Sequence, residues 1–423
     1  MNKYTNIYIF TFLLTVLLAV AFLAIGACLP QRYVLNNVKE SAAMLGAEGD
    51  YPKIADRTDA SILDNYTDSL ILIHSCETNS SDFSTILTNP SFKLGGQRVD
   101  DLSQYLVDDT PDINRYYVRY WMGFRTPMRL LLCVFNYLQI RRYLTFTLYT
   151  LFAMVICSIA KWAGEKPAFL FALSMIMVRL HIVSQSLQYS TCFLLAFLAM
   201  LLVPVLYQHK KYETVFFMEL GMLTMYFDFY TTPILTFGLP MIYICAICVN
   251  HGHEIKAKRI LKNAVGWLTG YVLMWVAKLV LTTLLTDVNA IENGFTSFAG
   301  RIGIIKVSGL EDRYNPLLAL KGIVDMLTAY PENSGKKVAA VALCVFSLGV
   351  LGKFLWNRQP LHTLYRHAAI LLIAVFPVIW YAVAAQPTVI HSFFQYRGIA
   401  VSLWAVMMYI LLTLQKEKDV SRP

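Results

Sequence analysis

The sequence predicts an all-α polytopic membrane protein: about ten transmembrane helices, with a large external loop after the first that carries surface-lying helices. Of its 423 residues, 57% are hydrophobic and only 15% charged, whereas a soluble domain carries about a quarter charged residues. Apolar runs long enough to cross a bilayer recur through most of the chain. Basic residues collect in alternate short connections between those runs, the mark of cytoplasmic loops.

The elements follow in order. "IYIFTFLLTVLLAVAFLAIGACLP" opens the chain, within a first segment spanning 1–29. Its "IGAC" resembles a lipoprotein cleavage box, but the run exceeds a signal core and further spans follow, so it is expected to remain as an anchor. Residues 30–142 form a polar external segment. Apolar runs then fall at 143–160, 167–184, 188–207, 214–230, 232–249 and 264–285, making 143–285 a block of transmembrane helices 2–7. A second external segment, 286–337, precedes the last block, 338–423, with runs near 338–356, 368–385 and 398–414 and a short cytoplasmic tail.

With the N-terminus inside, the cytoplasmic connections hold Lys161 and Lys166, Lys210 and Lys211, the cluster Lys256, Lys258, Arg259 and Lys262, then Arg358 and Arg366, and Lys416, Lys418 and Arg422 at the tail. These loops account for much of the net charge of +9 without a nucleic acid partner. No Walker loop, GxGxxG, HExxH or CxxC metal pair occurs, which removes support for nucleotide and common zinc chemistry. Most of the eight cysteines lie in apolar runs as small core residues; only Cys76 and Cys133 offer a bridge in an oxidising compartment.

The unusual polar residues converge on the external side. Asp228 lies in "LTMYFDFYTTPILTFGLP", at the outer end of the fifth span before the Pro233 turn; a carboxylate there must be wet, paired or functional. Arg179 and His181 close the third span, with Gln185 and Gln188 in the turn after it. "HSFFQYR", with His391, Gln395, Tyr396 and Arg397, lies between the last two spans, and Asp56, Asp59, Asp64 and Asp68 lie in the first loop.

Each has two readings. Asp64 is either the N-cap of the helix beginning in "ILDNYTDSLIL" or a general base, with Asp68 one turn on along the same face. Arg397 either snorkels to headgroups or binds phosphate with its guanidinium fork. His391 is structural, or binds a phosphate oxygen or a metal. Arg179 calls for a carboxylate partner, Asp228 or Asp64. "RTPMRLLLCVFNYLQIRRYL" reads as an interfacial helix with Arg129, Arg141 and Arg142 reaching headgroups, or as an extension of the second span. "NPLLALKGIVDMLTAYP" reads as a loop helix capped by Asn315 with Pro316 at its first position.

One helix, a large external loop with an early acidic motif, then many spans: this architecture resembles the GT-C superfamily of membrane glycosyltransferases. "ILDNYTDSLIL" resembles its catalytic motif, and "YFDFYTTPILTFGLP" and "HSFFQYR" are similar to stretches of bacterial members that glycosylate cell-surface polymers. The resemblance implies a polyprenyl-phosphate sugar donor and a glycan or glycolipid acceptor at the outer face of the cell membrane. It makes Asp64 the best match to the catalytic base and Asp68 the second. It places Arg397, Arg179 and His391 at the donor phosphate, and Asp228, Tyr396 and Gln188 around the acceptor. Asn65 follows Asp64 where the family pattern has an adjacent acidic residue, so a divalent cation is left open as a cofactor.

A transporter or flippase would also have about ten spans, but no inverted repeat is evident and the ionisable groups gather at one face, not the midplane. A non-catalytic assembly partner would make every polar group structural.

Overall fold

The computed structural model describes residues 3–55, 57–76, 83–93, 95–107, 113–305, 314–329 and 362–414, together with the isolated positions 349 and 353. Asp56, Arg358, the tail cations and, apart from those two positions, the apolar run near 338–356 lie outside the described residues. The described chain is almost wholly helical; its only strands are the two-residue pair β1 (Pro90–Ser91) and β2 (Arg115–Tyr116), antiparallel.

The helices are α1 (Lys3–Ala27), α2 (Leu35–Glu48), α3 (Asn65–Cys76), α4 (Phe83–Thr88), α5 (Arg98–Tyr105), α6 (Arg125–Leu132), α7 (Tyr137–Ala163), α8 (Glu165–Met177), α9 (Leu180–Val183) and α10 (Leu187–Gln208). They continue as α11 (Glu213–Phe227), α12 (Ile234–Asn250), α13 (Ala257–Leu285), α14 (Ala290–Arg301), α15 (Pro316–Leu327), α16 (His362–Arg366), α17 (Leu371–Val383), α18 (Ala385–Ile390), α19 (Ser392–Gln395) and α20 (Ala400–Leu414).

The protein is an all-α membrane protein. Among the described residues, five helical stretches are long and apolar enough to cross a bilayer: Asn6–Ala27, Tyr137–Ala163, Leu187–Gln208, Ala257–Leu285 and Ser392–Leu414. Ile234–Asn250 and Ala368–Val383 are shorter apolar helices. The expected span 167–184 is not one continuous helix. α8 stops at Met177, Arg179 adopts left-handed backbone angles (φ 56°, ψ 57°), and α9 restarts the chain for a single turn.

The expected polar loop 30–142 builds a core of its own, in which Val34, Val38, Leu45, Leu72, Phe92, Leu102, Leu132 and Ile140 are buried together. An extended reading of "RTPMRLLLCVFNYLQIRRYL" as one interfacial helix is corrected. α6 ends at Leu132, and an Asn136–Gln139 capping box starts α7 at Tyr137, so the second half extends the span. Arg129 and Arg141 do not reach for headgroups. Arg129 is buried and donates to the carbonyls of Ser75 (2.7 Å) and Leu29, while Arg141 is buried against Glu48 (2.8 Å). Arg142 remains exposed. No disulfide joins Cys76 to Cys133.

Within the bundle, α11 and α13 pack backbone to backbone. A Cβ at Gly270 would lie 1.9 Å from the Met218 carbonyl oxygen, and one at Gly221 would lie 2.1 Å from that of Trp267. Small residues at these positions let the helices approach without a hydrophobic force between them, as membrane interiors require.

Candidate active site

Asp64 precedes α3 as its N-cap. Its Oδ1 accepts from the Thr67 backbone N–H (2.9 Å) and its Oδ2 from the Thr67 hydroxyl (2.9 Å). The capping geometry is therefore present, and it leaves lone pairs on both oxygens. Asp64 is 2% exposed, and burial is the main reason its carboxyl is pushed up to about 7; the Thr67 bonds oppose this and the neighbouring Asp68 and Asp50 add to it. The surroundings are aromatic. Tyr51 stacks on Tyr66 at 6.1 Å and meets Phe393 edge-on at 5.8 Å, and Tyr189 donates to the Ile62 carbonyl (3.0 Å) beside Asp64.

Asp68 serves a different local purpose. Its Oδ1 accepts from the Gln188 N–H (3.1 Å), and its Oδ2 from the Leu187 N–H (3.2 Å) and the Tyr137 hydroxyl. These amides are the first of α10, so Asp68 caps a transmembrane helix from the loop domain. Burial raises its carboxyl, with Tyr137 and Arg141 pulling the other way. Gln188 enters this arrangement through its backbone, while its side-chain Oε1 is buried without a hydrogen-bond partner among the described residues.

Arg397 and Tyr396 clamp the first loop onto the last span. Arg397 donates to the carbonyls of Ala60 (3.2 Å) and Phe393 (3.1 Å) and lies between the rings of Tyr189 (4.6 Å) and Tyr396 (4.8 Å). The Tyr396 hydroxyl is within 3.3 Å of the carbonyls of both Ala60 and Val178. At 1% exposure Arg397 does not snorkel; it holds backbone. Arg179 likewise donates to the carbonyls of Met326 (3.2 Å) and Ala329 at the end of α15, away from the expected Asp64 or Asp228.

Asp228 resolves locally. It ends α11 and accepts from the Thr231 N–H (2.9 Å) and the Thr231 hydroxyl three residues on, closing the turn that carries the chain to α12. Cys192 on α10 contacts the same carboxylate, so Tyr189 and Cys192 place Asp64 and Asp228 along one face of α10.

At this end of the bundle, the arginines that border a cavity are ones the sequence analysis does not single out. A cavity of about 690 Å³ is bounded by Arg119, Arg301, Glu292, Asn293, Gln386 and His391. Arg301 donates to the Tyr120 hydroxyl (2.9 Å) and covers the Tyr230 ring at 4.8 Å, two residues from Asp228. Arg119 donates to Asn293 (3.4 Å). His391 is the expected phosphate residue that does line this cavity, but burial and the nearby Arg301 lower it to about 4, so it is neutral at pH 7. Its ring lies 6.1 Å from Phe393, which links the cavity wall to Tyr51 beside Asp64.

Among the described residues, no group of three or more His, Cys, Asp or Glu side chains is placed to hold a metal ion. The signal for the missed cations was present: Arg119 stands in the aromatic string "YYVRYW", and Arg301 closes a helix capped by Asn289. Comparison with protein-family models, with curated proteins and with solved structures finds no match to this chain.

Proposed function

We propose that this chain is a GT-C-type membrane glycosyltransferase of about ten spans that moves a sugar from a polyprenyl-phosphate donor to a hydroxyl of a glycan or glycolipid at the outer face of the cell membrane. The observation that carries this reading is Asp64: an enclosed carboxyl near 7, bordered by aromatic rings, one short aromatic series away from a cavity with two arginines. A base poised near the working pH accepts and releases a proton with least cost. Aromatic faces suit the apolar faces of sugar rings.

In this reading the acceptor hydroxyl oxygen attacks the anomeric carbon from the side opposite the phosphate. The C–O bond to the phosphate breaks, its electron pair leaves on the phosphate, and the hydroxyl proton passes to Asp64, with inversion. The phosphate role moves from Arg397 and Arg179, which hold backbone carbonyls, to Arg301 and Arg119 at the cavity. A guanidinium fork matches phosphate oxygens and stabilises the charge that grows on the leaving group. Neutral His391 and Gln386 contribute hydrogen bonds, not charge. The donor's isoprenoid tail lies in membrane lipid.

The test is sugar transfer by purified protein from a polyprenyl-phosphate sugar. Asp64→Asn preserves the cap, since Asn is nearly as good an N-cap, so folding is retained. Turnover falls by about 10²–10⁴-fold with donor binding little changed. A folded Asp64→Asn protein that transfers sugar at the parent's rate leaves Asp64 as a cap only and removes the proposal's base.

A further inference from the structure

The end of the bundle opposite Asp64 carries a second cavity of about 690 Å³, at the start of α13. Lys210, Lys256, Lys258, Arg259 and Lys262 border it, against the carboxylates of Glu213 and Glu254. Glu213 is committed to Arg259: Arg259 Nε donates to its Oε2 at 2.8 Å, and Asn263 holds the same oxygen at 3.2 Å. That leaves Lys256, Lys258 and Lys262 with no carboxylate partner among the described residues. The mouth is therefore net cationic and ready for an anion.

The mouth continues into an apolar groove. Thr214, Lys258 and Lys262 border both the cationic cavity and a neighbouring groove of about 660 Å³, whose other walls are Tyr8 of α1, Met218 of α11, and Leu261, Val265 and Gly266 of α13. Gly266 packs closely against Thr214, where a Cβ would lie 2.8 Å from both the Thr214 side chain and its carbonyl oxygen, so the helix seam forms a closed floor to the groove. Leu261 and Val265 are 48% and 63% exposed, so the groove opens sideways, where acyl chains would run.

We propose that this seam of α1, α11 and α13 is a binding site for one anionic phospholipid, with its phosphate among Lys256, Lys258 and Lys262 and an acyl chain along Leu261 and Val265. The combination selects the ligand: a cationic mouth alone would suit any anion, and an apolar groove alone any lipid. The positive loops place this end on the cytoplasmic side, whose leaflet carries the anionic lipids. The site is independent of the chemistry at the Asp64 end.

The experiment measures lipid retained by the detergent-purified protein in native mass spectrometry, titrated with phosphatidylglycerol, phosphatidylcholine or glycerol 3-phosphate. The parent retains phosphatidylglycerol over phosphatidylcholine, and glycerol 3-phosphate does not displace it. The Lys258→Ala/Lys262→Ala double variant loses about 30-fold in phosphatidylglycerol affinity, taking each lysine at its usual worth near an anionic headgroup. Val265→Trp, at an exposed position that folding tolerates, blocks the groove and lowers retention with every lysine intact. Lys161→Ala/Lys166→Ala, at the same end but outside the cavity, leaves retention unchanged. Equal losses from both lysine pairs, or an unaffected Val265→Trp, would overturn the site in favour of diffuse surface charge. Displacement by glycerol 3-phosphate would overturn it in favour of a small-anion site.

Discussion

Asp68→Asn separates a strut from a catalyst more sharply than any other change in the loop domain. The native carboxylate is fully buried and receives three donors from two transmembrane helices: the Tyr137 hydroxyl of α7 and the Leu187 and Gln188 amides of α10. An asparagine offers one acceptor oxygen and an NH2 group. If the oxygen stays with Tyr137 and Leu187, the NH2 faces the Gln188 N–H, and that amide is orphaned at the buried start of α10. Losing one bond to a charged group costs about 1.5–3 kcal/mol, and a buried unpaired donor about 1–3 kcal/mol; the two overlap, so about 2–4 kcal/mol is expected.

That loss is a large fraction of a typical total stability of about 5–15 kcal/mol. It also loosens a wider network, because Arg141 lies over the Tyr137 ring at 4.5 Å while donating to Glu48 (2.8 Å) and Asn65 (2.8 Å). The assay is thermal unfolding in detergent followed by size exclusion, with Asp64→Asn alongside as the variant that keeps its cap. Asp68→Asn should unfold at a clearly lower temperature and Asp64→Asn close to the parent. If Asp68→Asn unfolds with the parent yet transfers no sugar, the strut reasoning is refuted and Asp68 belongs to the chemistry.

Five further outcomes are expected. If Asp64, with its carboxyl near 7, is the proposed base, transfer should rise about tenfold per pH unit below 7 and level off above it; a profile flat from pH 5 to 8 would contradict that role. The same raised value means the folded state prefers the proton, so Asp64's contribution to stability is full below its ordinary range near 4 and is lost as pH rises through about 7. Arg301→Gln should weaken donor affinity by about tenfold or more with folding intact, whereas Arg179→Gln, which frees the Ala329 and Met326 carbonyls, should instead lower the unfolding temperature. Gly270→Ala should cost more than about 3 kcal/mol or abolish folded yield, because its Cβ would lie 1.9 Å from the Met218 carbonyl oxygen. Lys210→Cys and Lys258→Cys should resist a membrane-impermeant thiol reagent in intact cells while Glu292→Cys reacts; the reverse would place the Asp64 end in the cytoplasm.

The fold was legible wherever one local signal sufficed. Apolar runs within the described residues form helices, Asn315 accepts from the Leu318 amide (3.0 Å) with Pro316 at the first helical position, and Asp64 caps α3 through Thr67. Each depends on neighbours within four residues. The run 167–184 departs from one helix because a local kink overrides composition: Arg179, with left-handed angles, cuts it into α8 and α9. The loop domain's own core was not legible, because its buried residues come from α2, α3, α5, α6, the start of α7 and the connections between them, with no shared period. The Gly266 and Gly270 spacing was readable, but only the facing carbonyl of Met218 reveals how close the helices come.

The site was harder because an arginine near a span end satisfies three descriptions at once: headgroup anchor, phosphate ligand and backbone strut. What decides among them is the partner, and the partners lie far off in sequence. Arg397 finds Ala60, Arg179 finds Ala329, and Arg129 finds Leu29 and Ser75. Those carbonyls cap loops and helix ends that a bilayer-embedded fold cannot leave unpaired, and the guanidinium groups take that work. Asp228 shows the converse. A carboxylate set among aromatic residues has to be wet, paired or functional, and its own turn supplies two donors from Thr231. With that carboxylate held by Thr231 and Cys192, Arg301 is not drawn into an ion pair with it. Arg301 binds a tyrosine hydroxyl instead, and keeps its charge facing the cavity where a phosphate would enter.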